Sequence, residues 1–230
     1  MPFTEFQIKL YKKIREHRFL LKTVLKILSF LNFNKYNVNG SKNLIINEGV
    51  LLKKVKFDIT GDHNQIYFHE DSFIENVTFF FRGSNHHLSI GNHCIIKGGS
   101  FWFEDDNCTI NIGNNTTIEN AHLAVTENEK SIEIGYDCML AYDIEIRTGD
   151  SHSIIDLNSN TRINYARNVK ILDHVWIGAD VKILKGVTIG KNSIIGTGSI
   201  VNKSIPDNCI AAGIPAKVVR NNVTWNRQRI

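Results

Sequence analysis

Between residues 176 and 205 the apolar positions return every six residues. Ile177, Ile183, Ile189, Ile195 and Val201 form one column, and Val181, Val187, Ser193, Ser199 and Ile205 form a second, four places on. Glycine follows three first-column residues, at Gly178, Gly190 and Gly196. A helix repeats at 3.6 and an isolated strand at two, so neither accounts for a period of six. A solenoid of short strands and sharp turns does. The large aliphatic points inward, a small residue fills the corner and glycine relaxes the bend.

From Asn39 a looser form of the same habit runs with a period of 22. Blocks beginning at Asn39, Gly61, Gly83, Asp105 and Glu127 align without gaps. Their sixth residues are Leu44, Ile66, Leu88, Ile110 and Ile132, and their eighth are Ile46, Phe68, Ile90, Ile112 and Ile134. A third apolar strand closes the block, as in 79–81, 101–103 and 123–125. Each block predicts one three-sided coil, and stacking buries the face that a lone coil leaves exposed. Asn, Asp and Gly crowd the turns, where the left-handed backbone conformation is needed. The pattern predicts about five loose coils followed by about two and a half tight ones, the latter over 169–214.

Two stretches depart from the repeat. Residues 149–168, GDSHSIIDLNSNTRINYARN, carry no period and predict an insertion on one face of the stack, where solenoids place function. Residues 5–31 set Phe6, Leu10, Ile14, Leu21, Leu25 and Leu28 at helical spacing, with Lys9, Lys12, Lys13, Arg15, Arg18, Lys22 and Lys26 between them. That predicts an amphipathic α-helix, which either caps the solenoid or rests on anionic lipid. The chain thus divides into 1–36 (helix, with Asn32–Asn39 as linker), 37–148 (irregular coils), 149–168 (active-site loop), 169–220 (regular hexads) and 221–230. The last is a polar, basic tail whose one bulky anchor is Trp225.

Composition adds boundaries rather than detail. The 230 residues are 42% hydrophobic and 22% charged, a folded soluble chain. A net charge of +4 makes no case for nucleic acid and suits an anionic ligand. Cys94, Cys108, Cys138 and Cys209 are scattered and form no ligand cluster, so they read as small apolar fillers in a reducing compartment. No apolar run reaches the roughly 18 residues a membrane span needs, and Phe19–Leu31 is interrupted by Lys22 and Lys26 with no small-residue cleavage site. A cytoplasmic protein is expected, at the inner face of the membrane if the N-terminal helix binds lipid.

Three stretches carry a resemblance. Arg147-Thr-Gly-Asp-Ser-His152-Ser-Ile is followed by His174-Val-Trp176-Ile-Gly, its tryptophan 24 residues after the histidine, and the repeats end in IPDNCIAAGIPAKVVR over 205–220. Together with the hexads they resemble the hexapeptide-repeat acyltransferases, nearest to bacterial polysaccharide O-acetyltransferases of the polysialic-acid capsule type, over roughly 130–220. The resemblance implies an all-β fold, a left-handed parallel β-helix, against the usual right-handed crossover. It also implies acetyl-CoA as donor, no metal, and a homotrimer with its sites between subunits. The pantetheine arm would lie along the tight coils at Ala179, Gly196 and Thr197.

Within that frame His152 is the expected general base, since a neutral imidazole with a pKa near 6.5 can take the proton of an attacking sugar hydroxyl. Asp150, or less favourably Asp156, would orient its ring. Trp176 lies between Val175 and Ile177, which point inward, so it points outward. An outward Trp needs a cover, either a neighbouring subunit or the thioester arm. Lys203, Lys217 and Arg220 gather at the C-terminal end of the stack, as phosphate partners for the donor. Acceptor candidates are Arg147, Tyr142 and Arg167, with His86, His87 and Trp102 beside them, because Arg clamps carboxylates and aromatics stack on sugar faces. Rival expectations are N-acetylation of a nucleotide-linked amino sugar, a zinc enzyme of carbonic anhydrase type (which needs three convergent histidines), and a non-catalytic scaffold.

Overall fold

The computed structural model describes residues 33–230, so the predicted N-terminal helix and any lipid contact through it lie outside the described residues. Within them the chain winds through three parallel sheets in fixed rotation. Sheet A holds eight strands from Lys35–Asn39 to Ile200–Val201, and sheet B seven from Leu44–Asn47 to Thr188–Ile189. Sheet C holds nine, beginning at Leu51–Lys53 and ending in an antiparallel pair, Cys209–Gly213 and Ala216–Asn221. Sequence period becomes pairing register. Phe57, Phe79, Phe101 and Leu123 are successive partners 22 residues apart. Leu140 pairs with Ile177 across the insertion, and then Ile177 with Ile195, 18 residues on.

Alternation fills the interior. In Val77–Arg82 every second side chain is buried, and the same phase holds in the neighbouring coils. The inward phenylalanines stack along the axis: Phe57 on Phe79 and Phe79 on Phe101 at 5.2 Å each, Phe81 on Phe103 at 4.2 Å. Each fully buried ring stabilises the stack by about 2–3 kcal/mol. The sheet B to sheet C corner is narrow and takes small groups: Ser72, Cys94, Thr116, Cys138, Val175, Ser193 and Cys209 follow one another there, all buried. Burial pushes the thiols of Cys94 and Cys108 up to about 11 and that of Cys138 up to about 12, so they remain protonated and act as fillers. The corner turns on one left-handed residue per coil, among them Asn115, Asp137, Asn192 and Asn208, with short polar side chains that tolerate positive φ.

Two boundaries differ from expectation. The Asn-rich stretch read as a linker is instead the first strand of sheet A, Lys35–Asn39, paired with Lys56–Thr60 and with Tyr36 stacked on Phe57 at 4.9 Å. Its asparagines look like turn residues, yet Asn37 bonds across to Asp58 in the next coil. The tail 221–230 is likewise docked. Trp225 lies flat on His174 at 4.3 Å and donates its indole N–H to the His174 carbonyl at 2.7 Å. Arg227 reaches two coils further, to Asp137 at 2.8 Å and to the Asn115 carbonyl at 3.2 Å.

Candidate active site

The insertion leaves the end of Ile144–Arg147 in sheet A and re-enters at Val169–Ile171 in sheet B, so it stands on the A–B corner. Its tip is a two-stranded ribbon, Ile155–Asp156 against Thr161–Arg162. The ribbon exposes Ile154, Ile155, Ile163, Tyr165 and Leu157, the last 96% exposed.

Asn164, only 6% exposed, is the hub that holds the loop. Its Oδ1 accepts the Ile154 N–H at 2.7 Å, and its Nδ2 donates to the His152 carbonyl at 2.8 Å and to Asp150 at 2.9 Å. Lys185, from the tight coil below, donates to Asp150 and to the Asn164 carbonyl. Arg162 pairs with Glu127 of the coil above, and Glu127 also accepts the Ala166 N–H. Burial alone would raise the carboxyls of Asp150 and Glu127, but the hydrogen bonds from Lys185 and Asn164, and from Arg162, outweigh it and hold both below their usual range.

These anchors fix the backbone at His152 and leave its imidazole free, with no hydrogen bond to any described residue. Asp150, expected to orient that ring, turns to Lys185 and Asn164 instead. Asp156 caps its own turn through the Asn158 and Ser159 amides. Asn164, Lys185, Glu127 and Arg162 were not foreseen from sequence. A single Asn in an Asn-rich loop carries no pattern, and the ion-pair partners come from other coils.

Beside the loop, the outer face of sheet A holds a cavity of about 230 Å³ floored by Ala124, with Trp102 and Arg147 on opposite sides. Gly149 and Ser151 form its rim, next to His152. Trp102, read as part of a core-like strand, therefore faces outward between the buried Phe101 and Phe103. The other acceptor candidates lie elsewhere. His86 is fully buried as a corner rung, accepting the Cys108 N–H and bonded to the Arg82 carbonyl, and desolvation lowers its pKa. His87 packs beside Tyr67 on sheet B. Tyr142 is exposed at the C–A corner, and Arg167 lies over Gly186 at the foot of the insertion.

Trp176 projects outward from sheet C, 39% exposed, 6.3 Å from Trp225. Ala179, Gly196 and Thr197 lie on the same side, where Gly178 and Thr197 approach so closely that a Cβ on Gly178 would sit 2.7 Å from the Thr197 nitrogen. Lys217 and Arg220 are exposed on the last strand of sheet C, whereas Lys203 is on the A–B side. In a three-sided coil the A–B corner is opposite sheet C. His152 and Trp176 are thus separated by the core within one chain, and none of the insertion's hydrogen bonds reaches sheet C. Among the described residues no group of three or more His, Cys, Asp or Glu is arranged to hold a metal ion.

A parallel β-helix of hexads, broken once by a loop that presents an unpartnered histidine, has the build of a β-helix acyltransferase. The comparisons agree. The bacterial transferase hexapeptide family (six repeats) matches residues 168–203. The crystal structure of the polySia-specific acetyltransferase NeuO is 35% identical, covers 85% of this chain and 89% of its own, and superposes with a TM-score of 0.77. That of the polysialic acid O-acetyltransferase OatWY is 34% identical over 85% and 92%, with a TM-score of 0.81. The chain belongs to the hexapeptide-repeat transferase family. Among curated relatives, the polysialic acid O-acetyltransferase of Escherichia coli O1:K1 is 39% identical over 103 residues, 45% of this chain and 34% of that protein. The Neisseria meningitidis enzyme of the same name is 36% identical over 107 residues, 46% and 49%. The matches thus span between a third and a half of those relatives' length.

Proposed function

We propose that the protein is an acetyl-CoA-dependent O-acetyltransferase acting on a hydroxyl of a bacterial surface polysaccharide. Its coils would be left-handed and its working form a homotrimer, in which the His152 loop of one subunit meets the Trp176 side of the next. The observation that carries this reading is the pair of exposed, mutually remote features: a free imidazole on the A–B corner and an uncovered Trp on sheet C. Threefold packing brings such surfaces together between copies, and the apolar ribbon from Ile154 to Tyr165 gives the contact something to bury.

In this site the acceptor hydroxyl loses its proton to His152 as its oxygen attacks the thioester carbonyl. The tetrahedral intermediate expels the CoA thiolate, which recovers the proton from the imidazolium, leaving acetyl ester and CoA thiol. Transfer is direct, since all four cysteines are buried and three have thiols held protonated by burial. Trp176, Ala179, Gly196 and Thr197 would line the pantetheine path. Lys217 and Arg220, with Lys203 supplied from the A–B side, would meet the phosphates. The need for acetyl-CoA places the reaction in the cytoplasm.

Purified protein given acetyl-CoA and a polysialic acid acceptor should release CoA thiol and form ester. His152→Ala should lower kcat by about 10²–10⁴-fold while CoA still binds; transfer at the wild-type rate removes His152 from the mechanism.

A further inference from the structure

The outer face of sheet A is organised in lanes, because successive coils pair in register. One lane reads Asp58, Phe80, Trp102, Ala124, Arg147. Four of these five side chains are large or polar, and Ala124 is the gap. Trp102 stacks on Phe80 at 3.7 Å with 21° between the planes, so one indole face is covered and the other turns along the stack toward the gap. Arg82 closes the far side of Phe80, its guanidinium 3.8 Å from the ring centroid, which fixes the platform. Across the gap, Arg147 gives only its Nε–H to Glu145; both Nη groups have no hydrogen bond to a described residue. His122 stands on the adjacent lane, held by Ser100 at 2.7 Å. Glu104, which also lines the cavity, has a carboxylate with no partner among the described residues.

The slot above Ala124 is therefore one strand spacing wide on either side, about 5 Å. It has an aromatic face, a guanidinium with two unused N–H forks, and an acceptor carboxylate. A flat apolar face suits the C–H face of a pyranose, the guanidinium fork suits a carboxylate in bidentate geometry, and Glu104 suits a sugar hydroxyl. The rim at Gly149 and Ser151 is one residue from His152.

We infer that this slot is the acceptor subsite and holds one carboxylated sugar ring, stacked on Trp102 and clamped by Arg147, beside the hydroxyl to be acetylated. The assignment rests on the transferase reading only for the word acceptor. The slot's affinity for an acidic sugar is a separate physical claim and can be measured without chemistry.

The test is binding of a tetrameric α-linked oligosialic acid, in the absence of CoA, by titration calorimetry on the full-length chain. A carboxyl-reduced tetramer serves as the paired probe. Wild type should bind the acidic tetramer at least about tenfold more tightly than the reduced one. Arg147→Gln should bind the two alike. Ala124→Leu, which fills the slot from a position facing away from the core, and Trp102→Ala should each weaken the acidic tetramer by about tenfold or more. Unfolding midpoints report that the variants are folded. Wild-type affinity in Ala124→Leu, equal affinity of wild type for both probes, or no binding by wild type each overturns the subsite. If the tetramer binds as described but His152→Ala transfers acetyl as fast as wild type, the slot stands and the base assignment fails.

Discussion

Replacing Asn164 by Ala tests whether the insertion is a built active-site loop or a decoration of the stack. The side chain makes hydrogen bonds to the Ile154 N–H, the His152 carbonyl, Asp150 and, at 3.2 Å, Arg162. At about 1 kcal/mol net for each bond, and with water replacing part of the loss on an open corner, the loop should loosen by about 2–3 kcal/mol. Opening of the segment should then rise by roughly two orders of magnitude. Because the insertion stands outside the sheets, the unfolding midpoint of the stack should move little. Activity should not be spared, since a displacement of about 1 Å in a catalytic group costs about 10²-fold. The assay pairs thiol release under saturating acetyl-CoA with amide hydrogen exchange over 149–168. Asn164→Asp should be at least as damaging, because it keeps the acceptor oxygen, loses both donors and sets a carboxylate against Asp150. Wild-type kcat with unchanged exchange at 150–155 refutes the reasoning.

Two further outcomes follow from the fold. His86, His87 and His122 have pKa values lowered, first by desolvation, so below about pH 6.5 the unfolded chain binds protons that the folded chain refuses. Stability should therefore fall as pH drops from about 6.5 toward the folded values, and fall further below about pH 4, where Asp58, Glu127, Glu145 and Asp150, held low in the fold, take up protons. Urea midpoints between pH 7.5 and 5 read the first phase; a flat profile contradicts it, and His86→Leu should be less stable throughout yet show a shallower slope. At Gly83 φ is +109° and a Cβ would lie 1.6 Å from the Asp105 carbonyl oxygen, whereas at Gly198 φ is +71° with open space around it. Ala should cost at least about 3 kcal/mol at the first, from strain plus displaced backbone, and about 1 kcal/mol at the second, read from the same urea curves.

The fold was legible because a solenoid writes its geometry into period. The 22-residue blocks became register, and the inward column at Ile177, Ile183, Ile189, Ile195 and Val201 is fully buried. Trp176 faced outward for the reason alternation predicts. What escaped was anything set by contacts between coils. Asn164 and Lys185 hold the loop from 21 residues apart, and neither position carries a pattern. Trp102 looked like core because aromatic residues flank it, though strict alternation already placed it outside. The tail looked idle because its anchors, His174, Asp137 and Asn115, are turn residues of three separate coils. Asp150 was matched to His152 by closeness in sequence, but the lysine beneath it is the stronger partner.

The central claim is that the site is shared, with His152 from one subunit and Trp176 from the next. Co-expression of His152→Ala and Trp176→Ala, each inactive alone, tests it in one measurement. In randomly mixed trimers about one site in four combines an intact histidine with an intact tryptophan. The account predicts recovery to roughly a quarter of wild-type activity in the mixture. Activity no higher than that of either parent, in trimers shown to contain both chains, contradicts it.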